Sequence, residues 1–490
     1  MSKRRGSPGF RRFFSDLRRT KVGIVGLSLL ILFLGLAIFF PLIGNMNDIK
    51  NWNNLQYWRD NPKAAPPCWA VGNTFKSISI NGGENTSNLI EGNGELDGFK
   101  YISYSFLYNV ETQPPIDVIA RFNISYSKPT YVYITMERPD GKYILLTGNP
   151  ESSERTSVLD LFGVNPNSYS GDIRIQLASY LNNMITIRNY IVPWLQSNNV
   201  TLRPQDVFRL TNVAFSILHQ ELTPNIINAK NVTYLSGKYN VTFVFYSSDK
   251  NLSVALEKAI ALGGCYGIVG TDNMGRDLWM GLMYGIRWAL IIGFSVSIMS
   301  VLIGGIYGVV GGYFGGKTDE IMLRTAQVFY SIPVLPILIL LAVIFRPSIW
   351  NVISMLIIFG WPSTALVTRS MALQIKEETY VEAAKAIGSS SSRILFRYIL
   401  PQVLPYLFAS IALSVPGAIL TEASLSFLGL GDPSIVTWGR ILNEAEVAGA
   451  TINGYWWWVL PPGLMITIVG MTFILIGQAL DLILNPKLRR

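Results

Sequence analysis

Six long apolar blocks constrain this sequence more than anything else: residues 22–43, 288–310, 326–345, 349–367, 403–420 and 458–480. Crossing the hydrocarbon core of a bilayer takes about 20 helical residues, and each block is of that order. In lipid the backbone must satisfy its own hydrogen bonds, so such blocks cross as helices. Charge agrees. Only 14% of the 490 residues are Asp, Glu, Lys or Arg, against roughly 25% in soluble domains. The sequence predicts an α-helical polytopic membrane protein with six transmembrane helices. The first block has a basic approach like that of a signal peptide. Its run exceeds the roughly 7–15 residues of a signal core, and Pro41 and Asn45 follow it, so a retained anchor is expected.

Lysine and arginine set the orientation. Residues 1–21 carry Lys3, Arg4, Arg5, Arg11, Arg12, Arg18, Arg19 and Lys21 against Asp16 alone, which predicts a cytosolic N-terminus. Six crossings return the C-terminus, with Lys487, Arg489 and Arg490, to the same side of the cell membrane. The net charge of +9 then reports topology and membrane lipid, and gives no reason to infer nucleic acid.

Residues 45–269 fall outside and are long enough for a core of their own. Alternation predicts an inserted extracellular α+β domain. One hairpin runs from Tyr131–Ile134 through Pro139-Asp140-Gly141 to Tyr143–Leu146, and a second from Val232–Leu235 to Val241–Tyr246. Residues 172–195 and 205–222 read as helices. Both cysteines, Cys68 and Cys265, lie near the ends of this block. On an oxidising side they are expected to pair; two independent buried thiols are the alternative. The sequons at Asn85, Asn123, Asn199, Asn231, Asn240 and Asn251 are confined to the same block and are candidate glycosylation sites. One histidine, His219, and two distant cysteines give no zinc spacing, so no metal is expected.

Residues 311–318, Gly-Gly-Tyr-Phe-Gly-Gly-Lys-Thr, match the P-loop pattern letter for letter. That loop works when a buried strand feeds it onto a helix N-terminus. Here an apolar span precedes it, so the reading is an interfacial turn with Lys317 at lipid headgroups. Prolines at 333, 336, 362, 416, 461 and 462 interrupt the later blocks; they bend helices around a pathway or are ordinary packing kinks. Glu422 follows an apolar run closely. An ionisable group at that depth lines the outer end of a pathway or serves as a capping or interfacial group, and the sequence leaves both open. Tyr455-Trp456-Trp457-Trp458 is an interfacial aromatic belt.

Between the fourth and fifth blocks lies Glu382-Ala383-Ala384-Lys385-Ala386-Ile387-Gly388, four serines, and 393–401 ending in Leu400-Pro401. Burying its charges in lipid costs several kcal/mol each, so it lies in water or meets a soluble partner. Residues 377–387 predict a short helix broken at Gly388. Ser392 is expected to cap a second helix from Arg393, and Leu400 before Pro401 to end it.

Together these motifs resemble the dipeptide/oligopeptide/nickel family of ABC-transporter permeases, in particular its C-type subunit. The resemblance rests on Gly270-Thr271-Asp272-Asn273-Met274-Gly275-Arg276-Asp277 before the second block, on the "EAA" loop just quoted, on 422–433 with Trp438-Gly439, and on the tail from Ala479 to Arg489. It covers the first span and residues 269–490. It implies a type I importer permease fold whose EAA loop, about 372–402, couples to ATPases through Glu382, Ala383, Ala384, Gly388, Arg393 and Pro401. Gly270, Thr271, Asp272, Asn273, Gly275, Arg276 and Asp277 would form an external signature. It also implies a transport subunit without catalytic residues or cofactor. Its partners would be a B-type permease, two cytosolic ATPases carrying ATP and Mg, and an external solute-binding protein. Oligopeptides would be the solute, or oligosaccharides or nickel as in related systems. Two features depart from the pattern: Tyr398 stands where the family often has isoleucine, and the insert is far longer than usual. The domains expected are 1–21, 22–43, 45–269 and 270–490. A membrane-anchored receptor or adhesin would account for the insert but not for the loop.

Overall fold

A computed structural model describes residues 20–72, 74–82, 87–96, 98–147, 155–224, 226–228 and 232–484. The cations of residues 1–19, the sequons Asn85 and Asn231, and the tail with Lys487, Arg489 and Arg490 lie outside the described residues. The chain divides into two compact units, Met1–Leu55 with Asp277–Arg490, and Gln56–Arg276.

The first unit is helical: α1 (Lys21–Ile43), α2 (Leu278–Phe314), α3 (Gly316–Ser331), α4 (Val334–Ile344), α5 (Ile349–Gly360), α6 (Pro362–Ile375), α7 (Thr379–Ala386), α8 (Ser391–Ile394), α9 (Leu400–Phe427), α10 (Trp438–Val447) and α11 (Trp456–Leu484). Among the described residues, five stretches are long and apolar enough to cross a membrane: Lys21–Ile43, Leu278–Phe314, Ile349–Ile375, Ser391–Phe427 and Trp456–Asp481. The expected span at 326–345 is bent at one of its prolines. It is split between α3 and α4, which bend by 78° and make a sixth span only as a pair. Pro333 has no N–H to continue the ladder, and Ile332 before it is extended at φ −72°, ψ 126°, as residues preceding proline prefer.

A glycine ridge on α2 organises the bundle. Gly304, Gly308 and Gly312 recur every fourth residue and so share a face, the spacing that lets two membrane helices approach backbone to backbone. A Cβ added there would fall 2.4 Å from the Trp361 carbonyl oxygen, 2.3 Å from that of Ala365 and 2.7 Å from that of Arg369. The groove is thus the backbone of α6. The Thr368 hydroxyl lies 3.2 Å from the Gly304 carbonyl and 2.8 Å from that of Thr364. The P-loop-like letters resolve accordingly: Gly312 serves this helix contact, Gly315 turns the chain at φ 65°, and helices flank it on both sides with no strand leading in.

The second unit is a sandwich of two antiparallel sheets, with strands in the order β1-β9-β4-β7 and β2-β3-β8-β5-β6. Its strands are β1 (Ile78–Asn81), β2 (Leu89–Leu96), β3 (Phe99–Val110), β4 (Asp117–Tyr126), β5 (Thr130–Glu137), β6 (Tyr143–Leu145), β7 (Tyr169–Gln176), β8 (Gly237–Ser247) and β9 (Ser253–Leu262). Inward residues of both sheets form one core: Val118, Ala120 and Phe122 from one, Val132, Phe243 and Phe245 from the other. The Phe122 ring lies 4.8 Å from that of Phe245. Each fully buried side chain of this size contributes about 1.5–3 kcal/mol. Sheets therefore frame the α+β insert, and its helices are short.

The first expected hairpin forms, Thr135 pairing with Leu145 and Glu137 with Tyr143. The second does not. Tyr234 makes only an isolated bridge to Gln220, while β8 is a central strand between β3 and β5. Residues 172–176, expected helical, belong to β7, because Ile173 and Ile175 fill the core at alternate positions. His219 is fully buried; its Nδ1 lies 3.0 Å from the Phe215 carbonyl and its Nε2 2.8 Å from the Tyr108 hydroxyl. Burial in this apolar shell holds its pKa down to about 3. Cys68 and Cys265 form a disulfide across 197 residues of sequence.

The borders of the insert shift from 45 and 269 to Gln56 and Arg276. Residues after α1 belong to the membrane unit. Trp52 is buried, a Cβ at Gly281 would meet its ring at 2.6 Å, and Asn53 Oδ1 accepts from Arg440 at 2.6 Å. Residues 270–276 instead join the sandwich unit through Ala64, Ala65 and Pro62.

Candidate functional site

The loop between α6 and α9 is a two-faced ledge. Helix α7 ends in a complete Schellman motif: the Ser389 N–H donates to the Ala384 carbonyl and the Gly388 N–H to that of Lys385. Gly388 at φ 79° supplies the left-handed residue such an ending needs. Val381, Ala384, Ile394 and Ile399 point inward onto Val309, Ala372, Val403 and Leu407. Glu382, Ala383, Lys385, Ile387, Gly388, Arg393, Phe396, Arg397 and Pro401 are exposed. Ile387 is 81% and Phe396 64% exposed, so the outer face offers two apolar side chains ringed by charge. That composition suits a protein partner better than bulk water.

Two local expectations are corrected. Ser392 does not cap the second helix. It begins at Ser391 with Ser390 in the cap position, and the Ser390 hydroxyl approaches Ser392 Oγ at 3.4 Å rather than bonding a backbone N–H. Nor does Pro401 end it. The helix continues from Ser391 through a π turn at Leu395–Ile399 into α9. Proline removes one i→i−4 bond and its ring crowds the carbonyl four residues back, here Arg397. Widening that turn to i→i+5 accommodates both. The insert repeats the device, with a π turn at Ile187–Ile191 just before Pro193.

Residues 270–277 fold into a closed loop. Gly270 and Gly275 sit at φ 87° and 84°. Asp272 Oδ1 accepts from the backbone N–H groups of Met274 and Arg276, each at 2.9 Å, and its carboxylate pairs with the Arg276 guanidinium. Thr271, Asp272 and Arg276 are buried, whereas Asn273 is exposed. Thr271 Oγ1 accepts from the Ala65 N–H and donates to the Pro62 carbonyl. Asp277 faces the other way in sequence and caps α2 by accepting from the Trp279 N–H at 2.9 Å. Burial pushes its carboxyl up to about 6 against that bond. Within this signature, then, most charges are spent on the loop itself.

Glu422 is 4% exposed where α9 meets α10, and the Ser426 hydroxyl donates to its Oε1 at 2.6 Å. At that junction Gly439 lets the helices close, since a Cβ there would stand 2.5 Å from the Ala423 carbonyl. Asp432 in the same stretch accepts from the Ile349 N–H at 3.0 Å and caps α5. Sequence reasoning missed three features. Arg369 on α6 makes a forked pair with Asp319 on α3 at 2.5 and 2.6 Å. Arg440 ties Asn53 to α10. The glycine ridge is legible in the sequence as Gly304, Gly308 and Gly312, four residues apart. Among the described residues, no group of three His, Cys, Asp or Glu side chains could hold a metal ion.

Residues 278–490 match the family model described as "Binding-protein-dependent transport system inner membrane component". The dipeptide transport system permease protein DppC of Bacillus subtilis is 38% identical over 222 residues, 45% of this chain and 69% of the relative. The oligopeptide transport system permease protein OppC of the same organism is 36% identical, covering 45% and 72%. OppC of Haemophilus influenzae is 34% identical over 246 residues, 50% of this chain and 77% of that one. A solved chain from inward-facing MetNI, a methionine ABC transporter, is similar at 19% identity and a TM-score of 0.35, covering 44% of this chain and 98% of that chain, a likeness too low to add to the assignment. With its apolar helices and these relatives, the chain belongs to the ABC-transporter permeases of the dipeptide/oligopeptide family, as a C-type, non-enzymatic, multi-pass membrane subunit.

Proposed function

We propose that this chain pairs with a second, B-type permease to form the pathway of an ATP-driven importer. One of its two cytosolic ATPases docks on the exposed face of the loop at about 372–402. The observation that carries this reading is the ledge itself: an outer face of Glu382, Ile387, Arg393 and Phe396 spread over α7, α8 and the π turn, whose inner faces are locked into the bundle. A shift imposed on α7 passes to α6, which precedes it by three residues. It then passes to α2, because the glycine ridge leaves no slack between those backbones. Rigid-body transfer of this kind is what alternating access needs.

The relatives are named for dipeptide and oligopeptide transport, so peptides are the favoured solute, with oligosaccharides as the second class to try. An external solute-binding protein would deliver them, and the insert, with its disulfide, is read as an extracellular platform for that protein. Glu422, with Ser426 as an internal partner, is read as part of the α9–α10 junction. Nothing in this chain is assigned to bind ATP.

Gly388→Pro and Glu382→Lys should each leave the protein inserted while uncoupling ATP hydrolysis from uptake in the reconstituted complex. If both variants retain ligand-stimulated ATPase activity and uptake, the ledge is not the coupling surface.

A further inference from the structure

The sheet β1-β9-β4-β7 carries a row of cations on the face turned away from the sandwich core. Along β4, Val118, Ala120 and Phe122 point into the core, so Arg121 lies on the opposite face. Arg121 is the direct register partner of Arg174 on β7 and of Lys258 on β9. Residues directly opposite share a face with Cβ atoms about 4.5–5.5 Å apart, and like charges so placed repel. A fourth cation, Arg59, joins them from the segment preceding β1. Burial, and after it the fields of Arg121 and Arg174, lowers its hold on its proton.

Among the described residues, one carboxylate, that of Asp60, forms ion pairs with this group. Asp60, 8% exposed, takes Arg121 Nη2 at 2.5 Å and Arg174 Nε at 3.1 Å. Arg174 also donates to the Arg59 carbonyl at 3.0 Å and to Gln176 at 3.3 Å, and Arg59 Nη1 donates to Gln56 at 2.9 Å. Asp172 on β7 accepts from Asn123 at 2.7 Å, and its field also reaches Arg59. The Nε atoms of Arg59 and Arg121 are buried and have no acceptor among the described residues. An orphaned buried donor costs free energy that a purely structural arginine avoids. Arg138, fully buried in the same unit, shows the contrast: its Nε, Nη1 and Nη2 all donate, to Asp140, Leu218 and Gln220. Four cations facing Asp60, with Asp172 further along the same face, leave an excess of positive charge that a phosphate oxyanion, free or in a phosphodiester, offsets. Guanidinium forks suit its oxygens.

We propose that Arg59, Arg121, Arg174 and Lys258 form a binding site for a phosphate group on the sandwich unit. This site is independent of the coupling loop. The phosphate is either free in solution or the headgroup of an anionic phospholipid.

The test uses the full chain, purified in an uncharged detergent, with thermal unfolding followed at constant ionic strength as inorganic phosphate replaces chloride. A parallel series places the chain in nanodiscs of phosphatidylcholine with or without phosphatidylglycerol. A ligand at a hundredfold excess over its Kd should raise the unfolding temperature by about 5 °C. Lys258→Gln and Arg59→Gln leave the Asp60 side-chain pairs intact. They should unfold like the parent in chloride, keep the Cys68–Cys265 bridge on a non-reducing gel, and lose the shift. A shift with phosphate in detergent assigns the free anion; a shift only with phosphatidylglycerol assigns the headgroup. No shift in either series, or an equal shift in both variants, overturns the site.

Discussion

Gly308 is where one added carbon should do the most harm to the membrane unit. A methyl group there would stand 2.1 Å from Thr368 Oγ1, 2.3 Å from the Ala365 carbonyl oxygen and 2.7 Å from the Arg369 nitrogen. Ordinary contact starts at 3.4 Å. Two of these atoms are backbone and cannot swing aside, so α2 and α6 must part by about 1 Å, which forfeits roughly a quarter to a half of each dispersion contact along the seam. Overpacking of this kind costs about 1–3 kcal/mol, or roughly 5- to 150-fold in the folded ratio at 1.4 kcal/mol per decade. Gly308→Val should cost at least that, because two further methyls enter the same seam. The assay is thermal unfolding of the purified chain in detergent, with Gly417→Ala and Gly463→Ala as controls, since a Cβ at either meets nothing within 4 Å. In the reconstituted complex the variant should also lose uptake out of proportion to its ATPase activity, because the ridge is the proposed route from loop to bundle. A Gly308→Val protein that unfolds with the two controls would refute the close-packed ridge.

Other perturbations test the insert. Burial raises the Asp117 carboxyl from 3.8 to about 6, against its bonds to the Ala178 and Val118 N–H groups. A raised acid favours the folded state when protonated, so its contribution is full near pH 4 and falls by about 3 kcal/mol as pH rises through 6. His219, lowered to about 3, has the opposite sign and loses stability as pH falls below 6.5. Asp117→Asn should therefore steepen the rise of stability between pH 4 and 6 in denaturant titrations; an unchanged slope counts against the buried, protonated acid. Cys68→Ser opens a crosslink spanning 197 residues, worth about 5 kcal/mol by the loop-entropy relation. The variant should unfold at lower denaturant and lose the sensitivity to reductant that the parent shows. Of the described sequons, Asn199 and Asn251 lie exposed in turns, Asn123 is bonded to Asp172, and Asn240 sits in central β8 with its Oδ1 buried. In a host that glycosylates, glycopeptide mass spectrometry should find Asn199 and Asn251 occupied before Asn240; the reverse order would contradict that placement.

The sequence by itself determined the features that follow from local chemistry. Apolar length made the spans, the Glu382–Gly388 stretch made a short helix that a glycine stops, and alternation made the Tyr131–Tyr143 hairpin. The same letters misled wherever a local signal had more than one solution. Residues 172–176 carry a pattern compatible with either period, and only pairing with β4 makes them a strand. Pro401 reads as a stop, yet a widened turn carries the helix past it because α9 has a packed face to continue on. Gly311 to Thr318 spell a phosphate loop, but with a span before them and α6 alongside, the glycines close a helix seam. The cation row needs three strands in register before Arg121, Arg174 and Lys258 meet, since they are 53 and 84 residues apart along the chain. Helices and hairpins are built from neighbours that the sequence lists together. Seams, caps such as Asp432 on α5, and charge clusters join residues that only long-range packing brings within reach, and no local pattern specifies those distances.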